Sequence, residues 1–377
     1  MKKLKFLFTA SRASHIENFH MPTINFLRQR GHQVDAATEG LVKSDLVDNS
    51  YNLTFRKKIY SPKNLGTVNQ LSRLIKSEKY DVIISNTTLA GVITRLAMPK
   101  NQKKRPYHIY ICHGYLFKDD NSNKAKLYRM IEKSTASKID LLLTMNREDF
   151  DIAEKYYLCR DIRLINGMGL DTAFFPNISI EDIRTYQASL GIKEDDFVFL
   201  CVGEFSERKN QSLIINAFSA FIKSKPNSAL IFAGNGELLD EAKQLAEYKE
   251  ISHRVRFLGH VSDTNILYRS SHVVLSASHY EGLPFNIMEA LECNVPVIAS
   301  NIKGHKDLII DGFNGFLFDD NDERVLLQKM LEITDKDIYD SLKQNAFLES
   351  KYKSEDVSEV LLRYYLRIPE AIPTYSV

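Results

Sequence analysis

Residues His272–Ser300 read "HVVLSASHYEGLPFNIMEALECNVPVIAS". His272–Ser278 is an apolar run without strict polar alternation, the mark of a strand covered on both faces. A loop with Gly282 follows, and Pro284 stands where a first helical turn tolerates it, opening "PFNIMEALEC". "VPVIAS", Val295–Ser300, is a second apolar strand. Strand, helix and strand in this order indicate a parallel sheet, whose ligand crevice lies beyond the carboxyl ends of the strands. The loop between strand and helix is therefore where chemistry is expected, and it carries Glu281, with Glu289 inside the helix. Free N–H groups near Leu283 to Ile287 make an anion site that the helix dipole reinforces. Neither carboxylate favours a bound phosphate, so each is suited to accepting hydrogen bonds from neutral hydroxyls, as on a sugar or ribose. By themselves, two glutamates eight positions apart are also what any exposed helix start can carry.

The same rhythm extends outward. "FVFLCVGEF" (Phe197–Phe205), "SALIFAGNGE" (Ser228–Glu237) and "RVRFLGHV" (Arg254–Val261) are strands separated by the helical "SLIINAFSAFIKSKP" and "ELLDEAKQLAEYK". Glycine and proline cluster in "LINGMGLDTAFFPN" (Leu164–Asn177), which reads as a hinge, and a polar helix follows near Ser179–Leu190. Before the hinge come "LKFLFTA", the helical "MPTINFLRQRG", "HQVDAAT", "YDVIISN", "AGVITRLAM", "YHIYICHG", a helix near Lys124–Ser137 and "DLLLTMN". Ser11–Pro22 reads as a loop, and Ser354–Arg367 as a tail helix. The expected fold is α/β: two Rossmann-like, doubly wound domains facing a central cleft, over 1–172 and 173–355, with a helix in 356–377 returning to the first.

A chain of 377 residues fits two domains of ordinary size. Its 44% hydrophobic and 26% charged residues are those of a globular protein, and no segment has the apolar length of a membrane-spanning helix. "MKKLKFLFTA" has a signal peptide's charges but too short an apolar run, and reads as a first strand. Cys112, Cys159, Cys201 and Cys293 are far apart, with no paired spacing suited to zinc, and are expected as reduced thiols. The net charge of +2 conceals an asymmetry. Up to Ile165 there are about 29 Lys and Arg against about 16 Asp and Glu; beyond it the excess is acidic. A basic half suits nucleic acid, an anionic membrane surface or a phosphorylated substrate, or is a solvated face. Nucleic acid is disfavoured, since the basic segments lack a recognisable module or interleaved aromatics.

"HYEGLPFNIMEAL" (His279–Leu291) resembles the Glu-x7-Glu motif of glycosyltransferase family 4, retaining enzymes of the GT-B fold. "CNVPVIASNIKGHKDLIIDGFNGFLF" (Cys293–Phe318) is similar to the same family. "HIENFHMP", "ICHGYLF" and "DLLLTMNREDF" look like its capsule and exopolysaccharide branch. The resemblance implies that Glu281 contacts the transferred sugar, that Glu289 holds the nucleotide ribose, and that amides across Gly282, Leu283, Pro284, Phe285, Asn286 and Ile287 meet the diphosphate. In "VGEFSERKNQ" the family places an arginine after Gly203 and a lysine further on. Lys209 matches the lysine, Glu204 stands in the arginine position, and Arg208 is the candidate to supply the missing charge. "FAGNGEL" resembles the family's glycine turn, with Gly234, Asn235 and Gly236 against the nucleotide. A dehydrogenase reading fails there, because a dinucleotide fingerprint's third glycine is missing. His113 matches the family histidine near the sugar, in a positioning role. Ser14, His15 and His20 are candidate acceptor ligands, although the two histidines could equally hold their loop by backbone hydrogen bonds. The glycine pair that many relatives carry in this loop is absent.

The reaction so implied is metal-independent hexosyl transfer with retention, without a cofactor, since the nucleotide sugar is itself a substrate. The donor is expected to be UDP-linked and the acceptor a polyprenyl-diphosphate-linked saccharide. The protein is expected in the cytoplasm, peripheral on the inner face of a bacterial membrane. There Arg56, Lys57, Lys58, Lys103, Lys104 and Arg105 could meet anionic headgroups. A nucleotide-sugar epimerase and a non-catalytic donor-binding subunit are the alternatives on the same fold.

Overall fold

The computed structural model describes residues 3–56, 59, 61–99, 101, 105–319 and 322–367. It divides into two compact units: the first runs up to Gly169 and resumes at Ser354, and the second is Leu170–Lys353.

The first unit begins with β1 (Lys5–Thr9), α1 (Ala13–Phe19), α2 (Met21–Gln29), β2 (Gln33–Thr38), β3 (Asn49–Asn52) and α3 (Asn64–Glu78). It continues through β4 (Val82–Asn86), α4 (Thr88–Ala97), β5 (Tyr107–Cys112), α5 (Asn123–Thr135), β6 (Leu141–Thr144), α6 (Arg147–Lys155) and β7 (Ile162–Leu164). The strands form a parallel sheet in the order β3-β2-β1-β4-β5-β6-β7. Phe8 of β1 stands between Ala36 of β2 and Ile84 of β4. Phe6, Leu7 and Phe8 are all fully buried, which is why this strand shows no alternation.

The second unit comprises α7 (Ile180–Ser189), β8 (Phe197–Val202), α8 (Gln211–Ser224), β9 (Ser228–Ala233), α9 (Leu239–Tyr248), β10 (Val255–Phe257) and α10 (Asn265–Arg269). Then come β11 (Val273–Ser276), α11 (Phe285–Glu292), β12 (Val297–Ser300), β13 (Gly315–Phe318), α12 (Glu323–Glu332) and α13 (Lys336–Asn345). Its parallel sheet runs β10-β9-β8-β11-β12-β13, around a core that includes Phe199, Phe218 and Phe232. In both sheets the order reverses beside the first strand, the doubly wound arrangement that opens a crevice at the carboxyl ends. The closing helix α14 (Ser354–Leu366) belongs to the first unit, where Tyr365 meets Phe8 edge-on, ring centroids 6.2 Å apart.

Two expectations are corrected. Ser11–Pro22 is largely helical: α1 occupies Ala13–Phe19, and Pro22 lies in the first turn of α2, where its missing N–H costs nothing. Arg105 is no surface cation, since it is 8% exposed and makes paired hydrogen bonds to the two Asp140 carboxylate oxygens at 2.5 and 2.6 Å. Lys57, Lys58, Lys103 and Lys104 lie outside the described residues. No helix among the described residues is long and apolar enough to cross a membrane.

Candidate functional site

In the second unit the ends of β8, β9 and β11 bring the sequence candidates together. After β8 the chain turns at Gly203 against the end of β9: Gly203 N–H donates to the Ala233 carbonyl at 2.9 Å. A Cβ on Gly234 would lie 2.0 Å from the Gly203 carbonyl oxygen, so only glycine allows these two strand ends to approach. Asn235 joins the same turn, its carbonyl accepting from Phe205 N–H at 2.8 Å, and Gly236 follows. The Lys209 stem passes over Gly203, where an added Cβ would meet its Cε at 3.2 Å.

Lys209 and Arg208 both point at Glu281. Lys209 Nζ lies 2.8 Å from Glu281 Oε1, Arg208 Nη1 2.5 Å from the same oxygen, and Ser278 Oγ donates to it at 2.9 Å. Burial alone would raise the Glu281 pKa, but Lys209 and then Arg208 outweigh it and bring the group down to about 2. Glu281 is therefore a fixed carboxylate near neutral pH. Glu204, at the family's arginine position, is exposed.

Helix α11 begins directly beyond. Pro284 is its N-cap, with no side-chain capping bond, so the first amides of the helix are not capped by a side chain of that residue. Asn286 anchors this turn to the end of β8, its Nδ2 donating to the Val202 carbonyl at 3.2 Å. One turn further on, Glu289 Oε2 accepts from the Tyr268 hydroxyl at 2.6 Å. Burial raises the Glu289 pKa, although the Tyr268 bond and Lys209 pull the other way. The two glutamates thus differ: one ionised and ion-paired, the other buried and hydrogen-bonded to a phenol.

Two supports escaped sequence reasoning. Tyr268 comes from the short α10, and only the fold aligns it with Glu289. His305 is fully buried within electrostatic reach of Glu281, its Nδ1 2.8 Å from the Ser300 carbonyl and its Nε2 3.3 Å from Ser276 Oγ. The adjacent Gly304, at φ +80°, sits where a Cβ would lie 2.5 Å from the Gly282 carbonyl. Its signal was in plain view, as a glycine–histidine pair just after a strand.

In the first unit His113 follows β5, His15 lies on α1, and His20 joins α1 to α2. His113 Nε2 is 3.2 Å from Asn86 Oδ1 at the end of β4 and 3.1 Å from His15 Nε2. The His20 ring is 5.5 Å from that of His15 and 5.8 Å from that of His113. Burial lowers the His15 pKa to about 4, and burial with the neighbouring imidazoles takes His20 and His113 well below the usual histidine range. All three are neutral at pH 7. His20 is 0% exposed and neither ring nitrogen has a hydrogen-bond partner, so it offers no face to an acceptor sugar and does not hold a loop through its ring. Ser14 lies exposed on α1.

The "Glycosyltransferase Family 4" model matches residues 22–168, and "Glycosyl transferases group 1" matches residues 182–349. A Bacillus subtilis (strain 168) protein named glycosyltransferase EpsD is 31% identical over 335 residues, covering 88% of each chain. The Escherichia coli UDP-Gal:alpha-D-GlcNAc-diphosphoundecaprenol alpha-1,3-galactosyltransferase is 28% identical, over 78% of this chain and 76% of its own. The capsular polysaccharide biosynthesis glycosyltransferase CapM of Staphylococcus aureus is 23% identical, over 91% of this chain and 92% of its own. Among solved structures, Anabaena HepE in complex with UDP superposes with a TM-score of 0.77 at 19% identity, over 96% of this chain and 99% of that one. The fold is that of the GT-B enzymes, and the chain belongs to the glycosyltransferases of family 4.

Proposed function

We propose that the protein transfers a sugar, with retention, from a UDP-linked donor to a hydroxyl of a polyprenyl-diphosphate-linked saccharide in capsule or exopolysaccharide synthesis. The observation that carries this reading is the convergence of Lys209 and Arg208 on Glu281 at the start of α11, with Glu289 held by Tyr268 inside the helix. The name of the E. coli relative supports the substrate class, and that of the S. aureus relative the pathway.

Each residue then has a task. Lys209 and Arg208 neutralise the diphosphate as negative charge builds on it, and stabilising that developing charge does most to lower the barrier of such a reaction. Amides from Leu283 to Ile287 and the turns at Gly203 and at Gly234 to Gly236 approach the same group. Glu281 keeps the two cations in place between turnovers and accepts a hydrogen bond from the transferred sugar. Glu289 accepts from the ribose. His113, a neutral imidazole, orients the sugar.

Glu281 Oε1 is engaged as a counter-ion by Lys209 and Arg208, which disfavours the group as a nucleophile of the kind retaining glycosidases use and leaves Oε2 to accept from the sugar. The reaction is written instead with the acceptor oxygen bonding to the anomeric carbon on the face from which the diphosphate departs. The carbon–phosphate oxygen bond breaks, and the acceptor proton ends on the leaving diphosphate. Side-chain cations do here what a divalent ion does elsewhere.

Calorimetry of nucleotide sugars against wild type and Glu289→Ala, in EDTA, tests the reading. Binding of a uridine-diphosphate sugar that the variant loses supports it; equal binding by both overturns it. The basic residues Arg56, Lys57, Lys58, Lys103 and Lys104 are proposed to meet anionic headgroups. Liposome flotation that ignores anionic lipid would refute that part alone.

A further inference from the structure

We propose that His15, His20 and His113 form a binding site for one late first-row transition metal ion, zinc foremost, with a coordination position left for an oxygen ligand. The candidate ligand atoms of the three imidazoles all lie within 4.8 Å of one another. At zinc's usual bond length to nitrogen, two ligands of a tetrahedral ion stand about 3.3 Å apart. The His15 and His113 Nε2 atoms, at 3.1 Å, already span nearly that edge.

His20 is the second, independent observation. Its ring is wholly buried, both nitrogens are without a hydrogen-bond partner, and it faces the other two imidazoles across less than 6 Å between centroids. Proteins seldom bury a polar ring in this way without giving it a partner. A metal ion supplies one. Phe8 and Phe19 pack edge-on against His20 and His15, at 5.7 and 5.0 Å, so the cluster is walled by apolar rings. Burial keeps the imidazoles neutral, the form that ligates.

The donor set selects the metal. Three nitrogens without a carboxylate suit zinc, cobalt, nickel or copper and not magnesium or calcium. Asn86 Oδ1, 3.2 Å from His113 Nε2, is held by its own amide donating to the Thr9 carbonyl at 3.3 Å. Without an ion, the hydrogen bond to Asn86 Oδ1 requires the proton on His113 Nε2. On metal binding His113 takes its other tautomer, its proton moving to Nδ1, and Asn86 Oδ1 becomes an oxygen donor beside the ion. Occupation thus converts His113 from a hydrogen-bonding group into a ligand. Occupation would thereby withdraw His113 from orienting the sugar, a consequence that rests on the transfer reading; the binding itself does not.

Chelator-stripped, tag-free full-length protein is titrated with Co2+ and followed by visible absorption. The expected result is intense ligand-field bands of four- or five-coordinate cobalt that rise to one equivalent and disappear when Zn2+ is added. His20→Ala and His15→Asn are both expected to lose the bands. His15 is only partly buried, so His15→Asn, checked by circular dichroism, keeps the test decisive if His20→Ala fails to fold. A pale octahedral spectrum in the wild type, or bands of equal strength in a folded His15→Asn, would overturn the proposal. Neither donor nor acceptor is present, so failure of the transfer reading leaves this titration unaffected.

Discussion

One carboxylate oxygen, Glu281 Oε1, receives both Lys209 Nζ at 2.8 Å and Arg208 Nη1 at 2.5 Å. Two cations on one carboxylate leave a net positive charge at this point, and on the proposed function it is the donor diphosphate that meets it. Lys209→Met should lower kcat by roughly 100- to 1,000-fold, the usual effect of removing one group that stabilises transition-state charge. Steady-state kinetics with a labelled donor would check this; an unchanged kcat would remove Lys209 from the diphosphate.

Arg208 is expected to replace the arginine missing at Glu204. The Arg208→Ala, Glu281→Ala double-mutant cycle on donor affinity should give a coupling of about 1–3 kcal/mol, as for residues in one ion-pair network. Additive single effects would return Arg208 to the solvent-facing role that its position in the sequence also allows.

Tyr268→Phe deletes one oxygen and leaves the buried Glu289 without its 2.6 Å donor. Affinity for a UDP sugar should fall by about tenfold, equivalent to roughly 1.4 kcal/mol, in the range for an unsatisfied buried acceptor. A donor analogue without ribose hydroxyls should bind wild type and variant alike. If it also binds the variant more weakly, Tyr268 acts through packing and not through Glu289.

Burial lowers the pKa of His272 and His305 to about 4, and His272 Nδ1 accepts from Val198 N–H at 3.0 Å, which requires the neutral ring. Because the folded pKa lies below the unfolded value near 6.5, the unfolded chain binds protons first as pH falls. Stability from these two groups is complete above about pH 6.5 and declines towards pH 4, at about 1.4 kcal/mol per pH unit for each group. Urea melts across that window should show the decline, and His272→Gln should flatten it. A profile equally steep in the variant would sink the assignment to His272.

Gly169 has φ +82°, and a Cβ there would lie 2.5 Å from the Ser354 Cα at the head of α14. Gly169→Val is therefore expected to cost at least 1–3 kcal/mol, the order for a side chain held in a sparsely populated backbone region. Thermal melts of Gly169→Ala and Gly169→Val should fall in that order below wild type; two unchanged melts would mean that the junction relaxes freely.

The buried strands were legible because burial on both faces leaves an unbroken apolar signature, as in "VIISN" and "LLLT" of β4 and β6. The edge strand β3, "NSYN", has exposed or half-buried residues throughout and carries no such signal. Helix α1 was hidden by the His-Met-Pro step after it, which marks a helix start and not a loop. Glu281 and Glu289 could be singled out because a strand end and a helix start fix their neighbourhood locally, whereas Lys209 was singled out only through the family resemblance. Tyr268 could not, since its pairing depends on α10 packing beside α11. The histidine cluster was equally invisible: His113 reaches His15 only through the pairing of β1, β4 and β5.

The first unit is interrupted by the whole of the second and closes only with α14, whose Tyr365 covers Phe8 of β1. During synthesis the ribosome therefore completes the unit that bears Glu281 and Glu289 while the unit begun earlier still lacks its last helix. Domains made vectorially tend to fold as units in order of emergence. Here the order of completion is reversed, and a nascent chain arrested before Ser354 would expose the apolar surface at Phe8 to chaperones.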